Sequence, residues 1–195
     1  SILGSLMVSP VNWLCAAILV NQQNGYAEMG LFNAANQWRL ALLFIPMSLG
    51  KVLLSVLSNL NSESNNTDVN RVLMYNVNAN AAVSLVVLVL VVFFGDFIMA
   101  GYGEGFAEGG IVLTTLVAVA GLTAVNSVIG TALQSKGQVW TGFVFNFFWG
   151  IQLLAWAYYF CPIYGALGFA LANLFAYLSH TVFQFMYVRS SKFHQ

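Results

Sequence analysis

Six stretches of this sequence, at residues 2–21, 28–57, 72–95, 110–133, 140–160 and 164–188, are each long and apolar enough to cross the roughly 30 Å of hydrocarbon in a bilayer as a helix of about 20 residues. No other feature restricts the fold as strongly. A segment such as Val83 to Phe94 is almost continuously hydrophobic, whereas a membrane β-strand alternates in character over about ten residues, so the runs predict α-helices. The separating segments are Gln22 to Ala27, Ser58 to Arg71, Asp96 to Gly109, Gln134 to Val139 and Cys161 to Ile163, all short and polar or glycine-rich. None is large enough to be a domain. The expected architecture is all-α, one polytopic membrane bundle covering residues 1–195.

Composition removes the main alternatives. Charged residues make up 6% of the 195 and hydrophobic ones 59%, against about 25% charged in an ordinary soluble domain. A soluble globule of this size has too little interior to hide that much apolar surface. The formal net charge is zero and the cations are scattered singly, so there is no basic surface for phosphate backbones and nucleic acid is not an expected partner. Cys15 lies inside one hydrophobic run and Cys161 at the end of another, a placement that gives neither a disulfide framework nor metal-ligand spacing. The chain begins at Ser1 with no basic segment before its first run, and we expect it to be a fragment of a longer protein.

Lys51, Arg71, Lys136, Arg189 and Lys192 fall on one side of the membrane if six spans alternate, while Glu28, Asp96, Glu104 and Glu108 lie in or beside the opposite connections. Positive flanks are cytoplasmic, so both ends of the chain are expected in the cytoplasm. Asn65-Asn66-Thr67 matches a glycosylation pattern, but its expected cytoplasmic location makes the match a coincidence. Pro10 and Pro46 fall inside the first and second spans and predict bends, either fixed or hinged, whereas Pro162 is expected in a connection.

The remaining cation, Arg39, is about eleven residues into the second span, roughly 17 Å along a helix and close to the bilayer midplane. An arginine there costs at least about 2.5 kcal/mol to insert and marks a ligand or transport pathway by default. The alternative is a purely structural arginine held by an internal partner. Asn36, Phe32 and Glu28 precede it at helical steps, which gives the second helix a polar face from one end to mid-membrane. Further polar stripes are Asn76, Asn80 and Ser84; Asn126 and Gln134; Asn146, Trp149 and Gln152; and Asn173, Tyr177, His180 and Gln184. Each either lines a cavity or hydrogen-bonds helix to helix. His180 is a candidate for proton coupling or a hydrogen-bonded packing residue, and His194 is in the tail. No nucleophile, base and acid share a plausible site and no phosphate-binding glycine loop exists, so an enzyme is not expected, nor a metal or cofactor.

The run Gly25-Tyr26-Ala27-Glu28-Met29-Gly30-Leu31-Phe32-Asn33-Ala34-Ala35-Asn36-Gln37-Trp38-Arg39 resembles the polysaccharide flippases, the Wzx-type O-antigen transporters of the MOP superfamily. Ser9-Pro10-Val11-Asn12-Trp13 before it, and Pro46, Gly50 and Leu57-Ser58 after it, are similar to the same helix pair. The motif covers residues 9–58; the rest agrees in helix layout. The resemblance implies two six-helix lobes around a cationic cavity, of which this chain is the C-terminal one. It implies movement of undecaprenyl-pyrophosphate-linked oligosaccharide across the bacterial inner membrane for lipopolysaccharide or related polysaccharide biosynthesis. Arg39 then becomes the partner of the pyrophosphate, with Asn36 and Glu28 on the same cavity wall and Asn12 and Trp13 on the neighbouring helix. Implied partners are the lipid-linked oligosaccharide, membrane lipids, the N-terminal lobe and the polysaccharide polymerase machinery. A multidrug or small-solute exporter of the same superfamily is the nearest alternative, although no acidic residue lies deep in a span. A polymerase or ligase would need a long outer loop with paired charges, and a structural subunit would need no particular residue at 39.

Overall fold

The computed structural model describes residues 2–62 and 66–190, with side chains over 8–60 and 68–190. Asn65 of the glycosylation pattern, Lys192 and His194 lie outside the described residues. Five α-helices are present among those described: α1 (Ile2–Val20), α2 (Gly25–Ser62), α3 (Asn66–Ala100), α4 (Gly110–Ser135) and α5 (Val139–Val188), with a 3₁₀ segment at Glu104–Gly109 before α4. The helices extend past the apolar windows, α2 to Ser62 and α3 from Asn66. Bilayer thickness limits the apolar length of a helix, while its ends can continue wherever water or headgroups satisfy polar side chains.

The fifth and sixth expected spans, residues 140–160 and 164–188, both lie in α5, which is helical on either side of a break at Gly165, and Pro162 is inside the helix before that break rather than in a connection. This element is not a straight rod. A straight helix of its 50 residues would extend about 75 Å and would hold residues 145 and 187 about 63 Å apart. Instead the Phe145 and Tyr187 rings are 5.6 Å apart, Trp149 and Tyr177 5.3 Å, and Trp156 and Phe175 5.5 Å. The Tyr187 hydroxyl donates to Gln138 Oε1 at 3.2 Å, joining the two ends. The chain therefore folds back on itself as two antiparallel arms, residues 139–164 and 166–188.

Local chemistry explains the reversal. Pro162 has no N–H for the carbonyl one turn back. Three residues later Gly165 takes φ 54° and ψ −125°, a backbone state that side chains disfavour. Gly168 then passes so near the Phe160 carbonyl and the Cys161 N–H that a Cβ there would collide with backbone.

Elsewhere small residues set the helix crossings, as expected where lipid removes the hydrophobic drive for helix association. A Cβ on Gly121 of α4 would stand 2.9 Å from Ser84 Cβ of α3, and one on Gly150 of α5 3.2 Å from Val11 of α1. Helix α4 is the central one, packed on α2, α3 and α5, and it buries Leu113, Leu116, Val117 and Val119 almost completely. The periphery is apolar: Phe44, Phe93, Phe97, Tyr158 and Met186 are all mostly exposed. An apolar exterior of this extent requires a non-aqueous environment. Four helices are long and apolar enough to cross a membrane, and the described part of α1 is a shorter apolar helix.

Replacing Gly168 by alanine should place a methyl group against the Phe160 carbonyl and force the two arms of α5 apart. We expect a lower yield of folded protein and a lower melting temperature in detergent for Gly168→Ala than for Gly142→Ala, where a Cβ meets nothing within 4 Å.

Candidate functional site

Breaking a helix in the middle of a bundle exposes the N–H groups that open its second arm, and these need acceptors. Glu28, four residues into α2, supplies one: the Ala166 N–H donates to its Oε2 at 2.7 Å. The carboxylate thereby also sits at the positive end of the arm's helix dipole. Four residues on, Phe32 stacks on Phe169 with ring centroids 4.2 Å apart and planes 17° from parallel. Further along, Arg39 Nη1 donates to Asn173 Oδ1 at 3.4 Å. Residues 28, 32 and 39 thus meet 166, 169 and 173, so α2 and the second arm run side by side in the same direction.

The last of these contacts is weak. At 3.4 Å it exceeds the usual N–H···O range of about 2.7–3.2 Å, and Asn173 is neutral. The amide of Asn173 is itself fixed by donating from Nδ2 to the Phe169 carbonyl at 2.9 Å. Arg39 Nε is buried without a partner, as are Asn36 Oδ1 one turn before it and the Trp149 indole N–H. Tyr177 is one turn beyond Asn173 on the same arm, and its ring packs on Trp149. Arg71 pairs with Asp68 at 3.7 Å, far along the chain from Arg39. The result is a guanidinium in the interior of the bundle with donors to spare and no carboxylate against it. A guanidinium in that state suits phosphate or carboxylate oxygens from a ligand, which it can engage in pairs.

Of the five residues singled out from the sequence, Arg39 and Asn36 come together in this centre. Glu28 shares their helix but is engaged at the reversal of α5. Asn12 donates to the Val8 carbonyl of its own helix at 2.8 Å, and Trp13 faces outward with 70% of its surface exposed. The side chain that bonds Arg39, Asn173, comes from α5, not α1. Asn173, Tyr177 and Trp149 were legible as polar or aromatic stripes, but their four-residue spacing gives no hint of which helix they face. Two cavities flank the centre. One, of about 440 Å³, is mostly apolar and lies among α2, α3 and α4, with Asn76 and Asn80 on its wall. The other, of about 430 Å³, is more polar and lies among α2, α4 and α5, with Tyr177 on its wall.

No family model matches the chain. It is 26% identical over 97% of its length to the EPS I polysaccharide export inner membrane protein EpsE of Ralstonia nicotianae, and 26% identical over 94% to the protein of that name from Ralstonia solanacearum. The chain spans 44% and 42% of those relatives. Among solved structures it superposes with a TM-score of 0.78 on a MATE protein in complex with MaL6, at 17% identity over 95% of this chain and 44% of that one. A MOP-superfamily transporter from Pyrococcus furiosus gives a TM-score of 0.78 at 16% identity, over 99% of this chain and 45% of that one. The fold is that found in about half of such a transporter, and the resemblance to MOP-type polysaccharide proteins stands on both comparisons.

Removing the carboxylate that caps the second arm should destabilise the bundle. For Glu28→Ala we expect a loss of about 1–2 kcal/mol from the orphaned N–H and the lost dipole interaction, measured by thermal unfolding in detergent. Glu28→Gln, which keeps an acceptor oxygen, should lose less.

Proposed function

With the likeness to polysaccharide export proteins and to the MOP transporter fold as premise, we propose that this chain is the C-terminal lobe of a bacterial inner-membrane flippase. The whole protein would translocate undecaprenyl-pyrophosphate-linked oligosaccharide by alternating access. In this reading the two arms of α5 are separate crossings, which with α1 to α4 makes six and returns both ends of the lobe to the cytoplasm. At about 39 and 34 Å of helix, each arm is long enough. The observation that carries the proposal is Arg39, a half-buried cation whose Nε is enclosed without a partner and whose guanidinium makes one long bond to a neutral amide.

A structural arginine in a membrane bundle is normally neutralised, because an uncompensated charge there is costly. Arg39 is left ready for an anion that comes and goes. A pyrophosphate fits, since its oxygens accept the paired donors of a guanidinium and its charge is cancelled while it passes the hydrocarbon. Alternating access then requires only that the anion be held between two lobes and released when they part. Asn36 Oδ1, buried without a partner one turn away, is an acceptor and would take a hydroxyl beside the anion rather than the anion itself.

Complementation tests this directly. In cells lacking their own flippase, the full-length parent protein carrying Arg39→Ala should fail to restore surface polysaccharide at equal membrane abundance, and Arg39→Lys should restore part of it, because an ammonium keeps the charge but loses the paired geometry. Full complementation by Arg39→Ala would reduce Arg39 to a packing residue and remove the case for a pyrophosphate contact.

A further inference from the structure

The polar cavity among α2, α4 and α5 contains a set of unmet hydrogen-bonding groups. Asn126 is 5% exposed and neither its Nδ2 nor its Oδ1 has a partner; Gln184, 4% exposed, has an unpartnered Oε1; His180, 8% exposed, has an unpartnered Nδ1. All three line the cavity, with Asn146 and Tyr177. His180 Nε2 and Gln184 Nε2 are 3.1 Å apart and hold each other's orientation, so the remaining atoms of the pair are fixed in direction. Burying such groups without partners costs about 1–3 kcal/mol each, and the helices gain nothing from them as glue, because they do not bond across to one another. Their demand is for something that fills the cavity.

The chemistry of the lining selects the occupant. An amide presents a donor and an acceptor side by side, which is the complement of a hydroxyl, itself donor and acceptor. No carboxylate lines the cavity, so a bound cation lacks its preferred ligands. Lys51 is on the wall but exposed, and an anion among the buried groups would face acceptors as well as donors. An apolar molecule would leave every amide unmet. The Tyr177 ring, backed by Trp149, adds an apolar face of the kind on which a pyranose ring lies. The volume of about 430 Å³ is in the range of small-ligand sites and many times the share of one water molecule, about 30 Å³.

We infer that this cavity is a sugar-binding subsite, in which Asn126, Gln184 and His180 hydrogen-bond the hydroxyls of the carbohydrate adjoining an anion held at Arg39. The assignment of the anion rests on the function proposed above; the hydroxyl-binding character of the cavity does not. Sugar identity would be read here, by neutral amides, while Arg39 reads the charged link common to every substrate.

The two parts separate experimentally in the full-length parent protein, reconstituted in nanodiscs and titrated calorimetrically with two probes. One is the free repeat-unit oligosaccharide released from the host's own surface polysaccharide; the other is inorganic pyrophosphate. Asn126→Leu and the isosteric Gln184→Met should each weaken oligosaccharide binding about tenfold, the effect of losing one or two hydrogen bonds, and leave pyrophosphate binding as in wild type. Arg39→Ala should do the reverse, and Asn78→Leu, on the exposed side of α3, should change neither. If Asn126→Leu does not fold, Gln184→Met carries the test, since it preserves shape. Oligosaccharide binding unaffected by the cavity variants, or undetectable in wild type, would mean that only water fills the cavity and would overturn the subsite. Loss of oligosaccharide binding in the cavity variants together with unchanged pyrophosphate binding in Arg39→Ala would keep the subsite and overturn the proposed anion contact.

Discussion

A bilayer offers no water to backbone N–H and C=O groups, and every feature of this bundle follows from how that demand is met. Four of the five helices meet it by their own hydrogen bonds, save for the carbonyls one turn before Pro10 in α1 and Pro46 in α2. The fifth breaks at Gly165, and the N–H freed at Ala166 is taken by Glu28 of α2. Without that carboxylate the reversal would leave an unsatisfied donor at the point where two helices and the arm meet. With it, α2 and the second arm are locked at one end, and Phe32 on Phe169 continues the contact by about 0.5–1.5 kcal/mol of stacking beyond simple burial.

That lock also determines the electrostatics of the centre. Glu28 is the only carboxylate in α2, and by capping α5 it is unavailable to Arg39. The guanidinium is placed against the arm that Glu28 positions, where it meets an amide instead of an acid. One acidic side chain therefore does structural work at the end of the bundle, and the basic one is left unneutralised in its middle. The polar cavity beyond Tyr177 extends the same pattern, with neutral groups oriented by helix geometry and left without protein partners. An anionic link followed by hydroxyl-rich units is the kind of molecule that would answer both.

Much of the fold was legible in the sequence because lipid imposes a simple length rule. Apolar runs located α1 to α4 and both arms of α5, with errors only at polar ends, where helices continue into water. Arg39 was legible as a site for the same reason, since a lone charge in an apolar run is costly enough to need a purpose. Pro162, Gly165 and Gly168 were present as signals of a reversal, yet apolar windows do not distinguish a connecting loop from a helix that folds on itself. Glu28 was placed on the cavity wall because helical spacing aligns it with Arg39. Spacing within α2 contains nothing about the arm of α5 that claims its carboxylate. Asn12 and Trp13 were grouped with the site by the family resemblance, as residues of the neighbouring helix, and in three dimensions one bonds its own helix and the other faces outward.

What the sequence alone determined is thus a set of local quantities: which stretches are helical, which are apolar enough to cross lipid, and which residues are out of place there. The physical reason is that transfer from water to hydrocarbon is a sum over residues and needs no partner. Partnership belonged to the tertiary structure. Only the return of α5 decided that Glu28 caps Ala166, that Arg39 meets Asn173, and that Asn126 and Gln184 share one cavity. Hydrogen bonds and charge pairs act over a few ångströms between residues up to 138 positions apart in the chain, and no periodicity within a single helix encodes them.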